Sequence, residues 1–280
     1  MRTLAITNHK GGSAKTTTAV NLAAAFGELG LRVLVMDLDP QGSASAWLGV
    51  PRDDRSASDA LFGRAALHVL ARPTTAPGVD LVPASPGLVA ADRRQETEIA
   101  LGIIRAVERT PPRWDLLIVD CPPSQGYLAI APLAVCHEVL VPVESHVLAL
   151  AGLSSVIATM ERVSQRLNPQ LTLSAILACR VNRTTHSREV VELLRRRHGH
   201  LVLTATVREN IRLAEAPSFQ LPITRYAPDS TGAADHRTVA AELLRDRTTR
   251  TAERERDSLG RLFDLARHGP GWLTSRRGRD

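Results

Sequence analysis

Apolar residues arrive along this chain in short unbroken aliphatic runs, separated by longer stretches in which apolar and polar positions recur at helical spacing. A short continuous apolar run bounded by turn residues reads as a strand buried on both faces, and a longer amphipathic stretch reads as a helix laid against it. On that pattern strands are predicted at Thr3–Thr7, Arg32–Asp39, Val79–Pro83, Trp114–Asp120, Glu138–Glu144 and Leu171–Val181. Helices are predicted from the first lysine cluster to about Leu29, then over Ala57–Leu70, Leu88–Glu108, Leu148–Leu167 and His186–His198. Such alternation predicts an α/β fold: a doubly wound, mostly parallel sheet with helices on both faces.

The junction between the first strand and the first helix carries the most specific chemistry. It reads Lys10-Gly11-Gly12-Ser13-Ala14-Lys15-Thr16-Thr17. A strand, a glycine-containing loop and a helix N-terminus, in that order, make a phosphate-binding P-loop. Loop N–H groups and the positive end of the helix dipole favour a polyphosphate. Lys15 can reach the β- and γ-phosphates, and the Thr16 hydroxyl can ligate Mg²⁺. Ala14 stands where such loops commonly have glycine, and a methyl group there is expected only with a negative φ.

Aspartates close two of the predicted strands. Asp37 and Asp39 end the second, before Pro40-Gln41-Gly42, and Asp120 ends the Trp114–Asp120 run, before Cys121-Pro122-Pro123-Ser124. A hydrophobic strand delivering an aspartate beside a P-loop is the arrangement that holds Mg²⁺, directly or through water.

Composition sharpens the loop reading and bounds the rest. Lys10 and Lys15 are the chain's two lysines against 33 arginines among 280 residues. A compact ammonium and a planar guanidinium are not interchangeable, so both lysines are expected to touch phosphate. The net charge of +6 raises the expectation of an anionic partner without choosing between nucleic acid and an acidic membrane surface. Cys121, Cys136 and Cys179 are odd in number and lack metal-ligand spacing, which argues against a disulfide framework or zinc site. Cys121 is expected to be a small buried filler. With no signal peptide before the first strand and no apolar run of spanning length, a cytoplasmic protein is expected.

The K-G-G-x-x-K-T-T loop resembles the deviant Walker A motif of the ParA/MinD family of dimeric ATPases. The segments D-x-D-P-Q-G from Asp37, D-C-P-P-S from Asp120, and Arg212-Leu-Ala-Glu-Ala-Pro-Ser match the ParA/Soj-type partition ATPases in the correct order. The resemblance covers residues 1–245, the expected ATPase domain, and implies ATP and Mg²⁺ as cofactors. By resemblance, Asp39 orients the attacking water, Asp37 lies near the Mg²⁺ shell, and Asn182 contacts adenine. Lys10 would cross to the partner's phosphates, so that ATP holds a homodimer face to face. Arg183 and Arg212 align with residues associated with non-specific DNA binding, and a ParB-like partner would stimulate a slow hydrolysis. The function implied is DNA segregation by a nucleoid-associated ATPase.

Residues 246–280 are expected to form a basic extension, helical over Thr251–Ala266. Leu259, Leu262, Phe263 and Ala266 share a face there, with Trp272 nearby, as an interfacial anchor would. That stripe keeps open a MinD-like membrane-cycling regulator, although a membrane partner is the less favoured expectation. A ParA-like positioning ATPase for a protein cargo uses the same chemistry.

Overall fold

The first buried run, β1 (Arg2–Ile6), lies in the middle of an eight-stranded sheet in the computed structural model. The structure describes residues 1–245 apart from positions 52, 54, 92, 93, 125 and 147. The expected extension over 246–280, with its apolar stripe, lies outside the described residues.

After β1 come α1 (Lys15–Glu28), β2 (Val33–Asp37), α2 (Ser43–Trp47), α3 (Ala57–Leu61), α4 (Leu67–Leu70), β3 (Arg72–Pro73), β4 (Val79–Val82), α5 (Leu88–Ala91) and α6 (Glu96–Glu108). The second half runs β5 (Leu116–Asp120), α7 (Tyr127–Val135), β6 (Glu138–Glu144), α8 (Leu148–Arg166), β7 (Thr172–Val181) and α9 (Thr185–His198). It continues through β8 (Val207–Arg208), α10 (Ile211–Glu215) and α11 (Ile223–Tyr226). The strand order is β3-β4-β2-β5-β1-β6-β7-β8, and every pairing is parallel except β3 with β4.

Parallel pairing explains the unbroken apolar runs. β1, β2 and β5 are buried at every position because helices cover both faces of the sheet. Leu34, Met36, Leu117, Val119, Val139 and Val141 belong to one continuous core with α5, α6 and α8. Arg2 closes the lower end of β1 with a paired contact to Glu138, Nε to Oε1 at 2.8 Å and Nη2 to Oε2 at 2.7 Å.

Two predicted helices are each divided. The expected Ala57–Leu70 helix is α3 and α4, because Gly63 turns the chain with φ 66°. A Ser56–Asp59 capping box starts α3. The expected Leu88–Glu108 helix is α5 and α6, with Gln95 extended ahead of the second. The short α2, the Pro132-containing α7 and the two-residue strands β3 and β8 were not legible from periodicity, which needs more residues than they supply.

The connectivity fixes where chemistry can occur. From β1 the chain crosses past β5 to β2, and later strands β6 and β7 add on the other side of β1. The order reverses at β1, so a crevice opens beyond its C-terminal end.

Candidate functional site: a phosphate loop at the sheet's switch point

Residues 7–14 fill that crevice and lead straight into α1. Asn8 pins the loop from both ends: its Nδ2 donates to the Pro142 carbonyl at 2.9 Å, and its Oδ1 accepts the Lys10 amide at 3.1 Å. Ser13 Oγ donates to the Lys10 carbonyl at 2.9 Å. Gly152 on α8 permits the close approach, since a Cβ there would stand 3.1 Å from Asn8 Oδ1.

Gly12 and Ala14 both take left-handed backbone conformations, with φ 74° and 65°. The expected negative φ at Ala14 is therefore wrong. The loop must reverse immediately before the helix, and this demand overrides the alanine's own preference at a cost of about 1–2 kcal/mol. The reversal leaves the N-terminus of α1 without a side-chain cap. Its first-turn N–H groups thus face the crevice as an anion-binding end.

Lys15 is buried at the start of α1, and its Nζ donates to the Lys10 carbonyl at 3.1 Å. Burial pulls its pKa down, against the opposing pull of Asp120, Cys121 and Asp39. A buried ammonium resting on one neutral carbonyl is suited to an anionic ligand.

Asp120 and Asp37 are register partners at the ends of adjacent strands β5 and β2. Thr16 Oγ1 donates to Asp120 Oδ2 at 2.8 Å, while Asp120 Oδ1 is buried with no hydrogen-bond partner among the described residues. Burial and the neighbouring Asp37 charge push the Asp120 carboxyl well above its ordinary range, although the Thr16 bond and Lys15 oppose them. A divalent cation would relieve this unmatched oxygen, so the hydroxyl–carboxylate pair fits Mg²⁺. No group of three or more His, Cys, Asp or Glu side chains assembles into a metal cluster among the described residues. Other ligands would therefore come from phosphate or water.

Asp37 is occupied differently. Its Oδ2 accepts Ser45 N and Oγ at 2.9 and 2.7 Å, and its Oδ1 accepts Asp39 N at 3.1 Å. Burial raises its pKa to about 6, with the Ser45 bonds opposing. It braces the segment that carries Asp39, whose Oδ1 accepts the Gln41 amide at 2.9 Å. Asp39 itself stays half-buried at the crevice.

Lys10 does not accompany Lys15. Its Nζ lies 2.8 Å from His146 Nε2 and 3.4 Å from Glu144 Oε2, at the C-terminal end of β6 and just beyond it. Glu144 also accepts Arg180 Nη1 at 2.9 Å. Sequence reasoning missed all three residues. The available signal was Glu144 itself, an acid closing a third buried strand.

Asn182 follows β7 and lines a cavity of about 370 Å³ with Glu144, His146, Arg180, His186 and Glu209. Its Oδ1 caps the turn into α9 through Thr184 Oγ1 at 2.7 Å, and its Nδ2 donates to Glu209 at 3.3 Å. Arg183 is exposed. Arg212 is also exposed but paired, Nη1 to Glu215 Oε2 at 2.9 Å. All three cysteines are free and buried, and burial raises each thiol pKa, so Cys121 is the expected inert filler.

A glycine-bearing loop with a buried lysine, an uncapped helix end and a hydroxyl–carboxylate pair at a switch point define a P-loop nucleotide-binding protein. An AAA-domain family profile matches residues 1–173. The chain is 41% identical over 245 residues to the chromosome-partitioning ATPase Soj of Thermus thermophilus, covering 87% of this chain and 96% of that one. It is 36% identical to the sporulation initiation inhibitor protein Soj of Bacillus subtilis, over 86% and 97% of the two chains. A solved structure of cobyrinic acid a,c-diamide synthase from Mycobacterium smegmatis with bound ADP and magnesium matches with TM-score 0.76 and 32% identity, over 89% and 96% of the chains. The chain belongs to the ParA/Soj family of P-loop ATPases.

Proposed function

We propose that this protein is an ATP- and Mg²⁺-dependent DNA-segregation ATPase. The observation that carries the reading is the Thr16–Asp120 pair with its buried, unpartnered carboxylate oxygen, set beside the buried Lys15 ammonium. Its relatives named as partition ATPases supply the process.

In this reading residues Gly11 to Thr17 bind the phosphates through loop and first-turn N–H groups, and Lys15 neutralises the terminal phosphate. Thr16 and Asp120 would hold Mg²⁺, with Asp37 behind them. The cation supplies charge stabilisation to the phosphoryl oxygens. Asp39 orients the attacking water for in-line displacement. Asn182 would contact the base. Lys10 acts across a homodimer, which makes dimerisation depend on ATP. A ParB-like partner accelerates an otherwise slow hydrolysis.

The ATP dimer binds double-stranded DNA without sequence preference through Arg183 and Arg212. Both are exposed, and Arg212 pairs with Glu215. The test is DNA binding with ATP at several salt concentrations for the Arg183→Ala, Arg212→Ala double variant, beside a measurement of dimer size. Affinity should fall on unrelated sequences, and the log–log salt slope should flatten by about 0.9 for each phosphate no longer neutralised. Unchanged DNA affinity in a variant that still dimerises would remove these arginines from the mechanism.

A further inference from the structure

The contacts around Lys10 contain a choice that the histidine cannot make both ways. His146 Nε2 lies 2.8 Å from Lys10 Nζ and 2.9 Å from Glu144 Oε2. An ammonium can only donate and a carboxylate can only accept. Nε2 therefore serves Lys10 as an unprotonated acceptor, or Glu144 as a protonated donor, but never both.

The neighbouring groups keep Glu144 charged. Its burial favours the neutral acid, yet bonds from Arg180, His146 and Lys10 outweigh it and hold the carboxyl below its ordinary range. Arg180 reaches Glu144 from a left-handed backbone position, φ 52°, where the β7–β8 register shifts between Cys179 and Val181. Such a conformation is disfavoured for a non-glycine residue. Here it aims the guanidinium at this carboxylate.

We propose that Glu144 and His146 form a proton-operated latch that holds the Lys10 ammonium in its own subunit. With His146 neutral, Nε2 accepts from Lys10, the ring proton sits on Nδ1, and the lysine is retained in cis. When a solvent proton binds Nε2, the new N–H donates to Glu144 Oε2, the Lys10–His146 bond breaks, and the imidazolium repels the ammonium. Lys10 then becomes free to act across the dimer. This step rests on the ATP-dimer reading above.

Lys10 and a proton compete for the same ring nitrogen of His146, so release of Lys10 takes up a proton and dimerisation is favoured by falling pH. The charged and titratable groups facing His146 among the described residues are Lys10 from the phosphate loop, Glu144 from β6, Arg180 from β7, His186 from α9 and Glu209 after β8. His186 is the other histidine lining this cavity and must be tested beside it.

Two measurements on the full chain decide the matter. In nucleotide-free protein at pH 8, nitrogen NMR of labelled histidines should show His146, identified by its loss in His146→Ala, with Nε2 unprotonated. With saturating Mg²⁺ and a non-hydrolysable ATP analogue, the dimer dissociation constant by sedimentation should tighten about tenfold or more from pH 8 to pH 6, as loss of a charge-assisted bond implies. His146→Ala should dimerise at pH 8 as tightly as wild type at pH 6, and His186→Gln should keep the wild-type pH dependence. A protonated Nε2 at pH 8, or a pH-independent wild-type dimer, would overturn the latch. Absence of any dimer at either pH would overturn the dimer reading and the release step with it, and the nitrogen spectrum would then decide the cis hold alone.

Discussion

Thr16 donates its hydroxyl proton to Asp120 across the crevice at 2.8 Å, leaving the other carboxylate oxygen buried and unmatched. The first residue after the loop lysine and the last residue of a strand more than a hundred positions later thus share one hydrogen bond. The arrangement is costly without a cation, and the cost gives the first prediction.

Asp120 has its pKa raised by burial first and by the Asp37 charge second. An acid whose folded-state pKa is raised binds protons more tightly folded than unfolded. Its favourable contribution is complete below the unfolded value of about 4 and is lost as pH rises through the folded value. Asparagine does not ionise, so Asp120→Asn should gain on wild type as pH rises from 4 toward 7.5 in metal-free, nucleotide-free protein. Thermal unfolding across that range should show a melting-temperature difference that grows by a few degrees, while Mg²⁺-dependent nucleotide binding weakens. A difference that stays flat with pH would remove the strained carboxylate from the account.

Ala14 holds a φ of 65° that suits glycine. Ala14→Gly should relieve about 1 kcal/mol of strain and raise the melting temperature by about 2–4 °C. Calorimetry of the two proteins without nucleotide measures it directly. A lower melting temperature would mean that the methyl group's packing outweighs its backbone cost.

The two lysines should separate in function because their ammonium groups point to different places. Lys15→Ala should weaken ATP binding by about 10- to 100-fold or more, since it removes a buried charge partner of phosphate. Lys10→Ala should retain nucleotide affinity and lose ATP-dependent dimerisation. Equilibrium binding of a fluorescent nucleotide, beside sedimentation, distinguishes the two; equal losses of affinity would contradict the separate roles.

Asp39 should matter to the chemical step alone. Asp39→Ala is expected to bind ATP and dimerise while hydrolysing about 100-fold or more slowly, within the range for loss of a water-positioning group. The protein would then remain on DNA. Single-turnover hydrolysis at the wild-type rate would show that another group positions the water.

The sequence alone determined the sheet and its active edge. Uninterrupted apolar runs such as Leu116–Asp120 can be buried on both faces in a parallel sheet, and acids at their ends mark one edge. The K-G-G-x-x-K-T-T loop lay between β1 and α1, so its place was local information and was legible. Periodicity could not show the breaks at Gly63 and before α6, because a short interruption barely alters a helical pattern. Nor could composition reveal the backbone reversal that forces Ala14 into a left-handed conformation. Only the tertiary structure brought Glu144, His146 and Arg180 around Lys10, since three separate segments meet there through the β6–β7 pairing. The same assembly set the charge balance at Asp37 and Asp120. Each aspartate is an ordinary acid in the chain, and burial side by side at the ends of β2 and β5 pushes both pKa values upward.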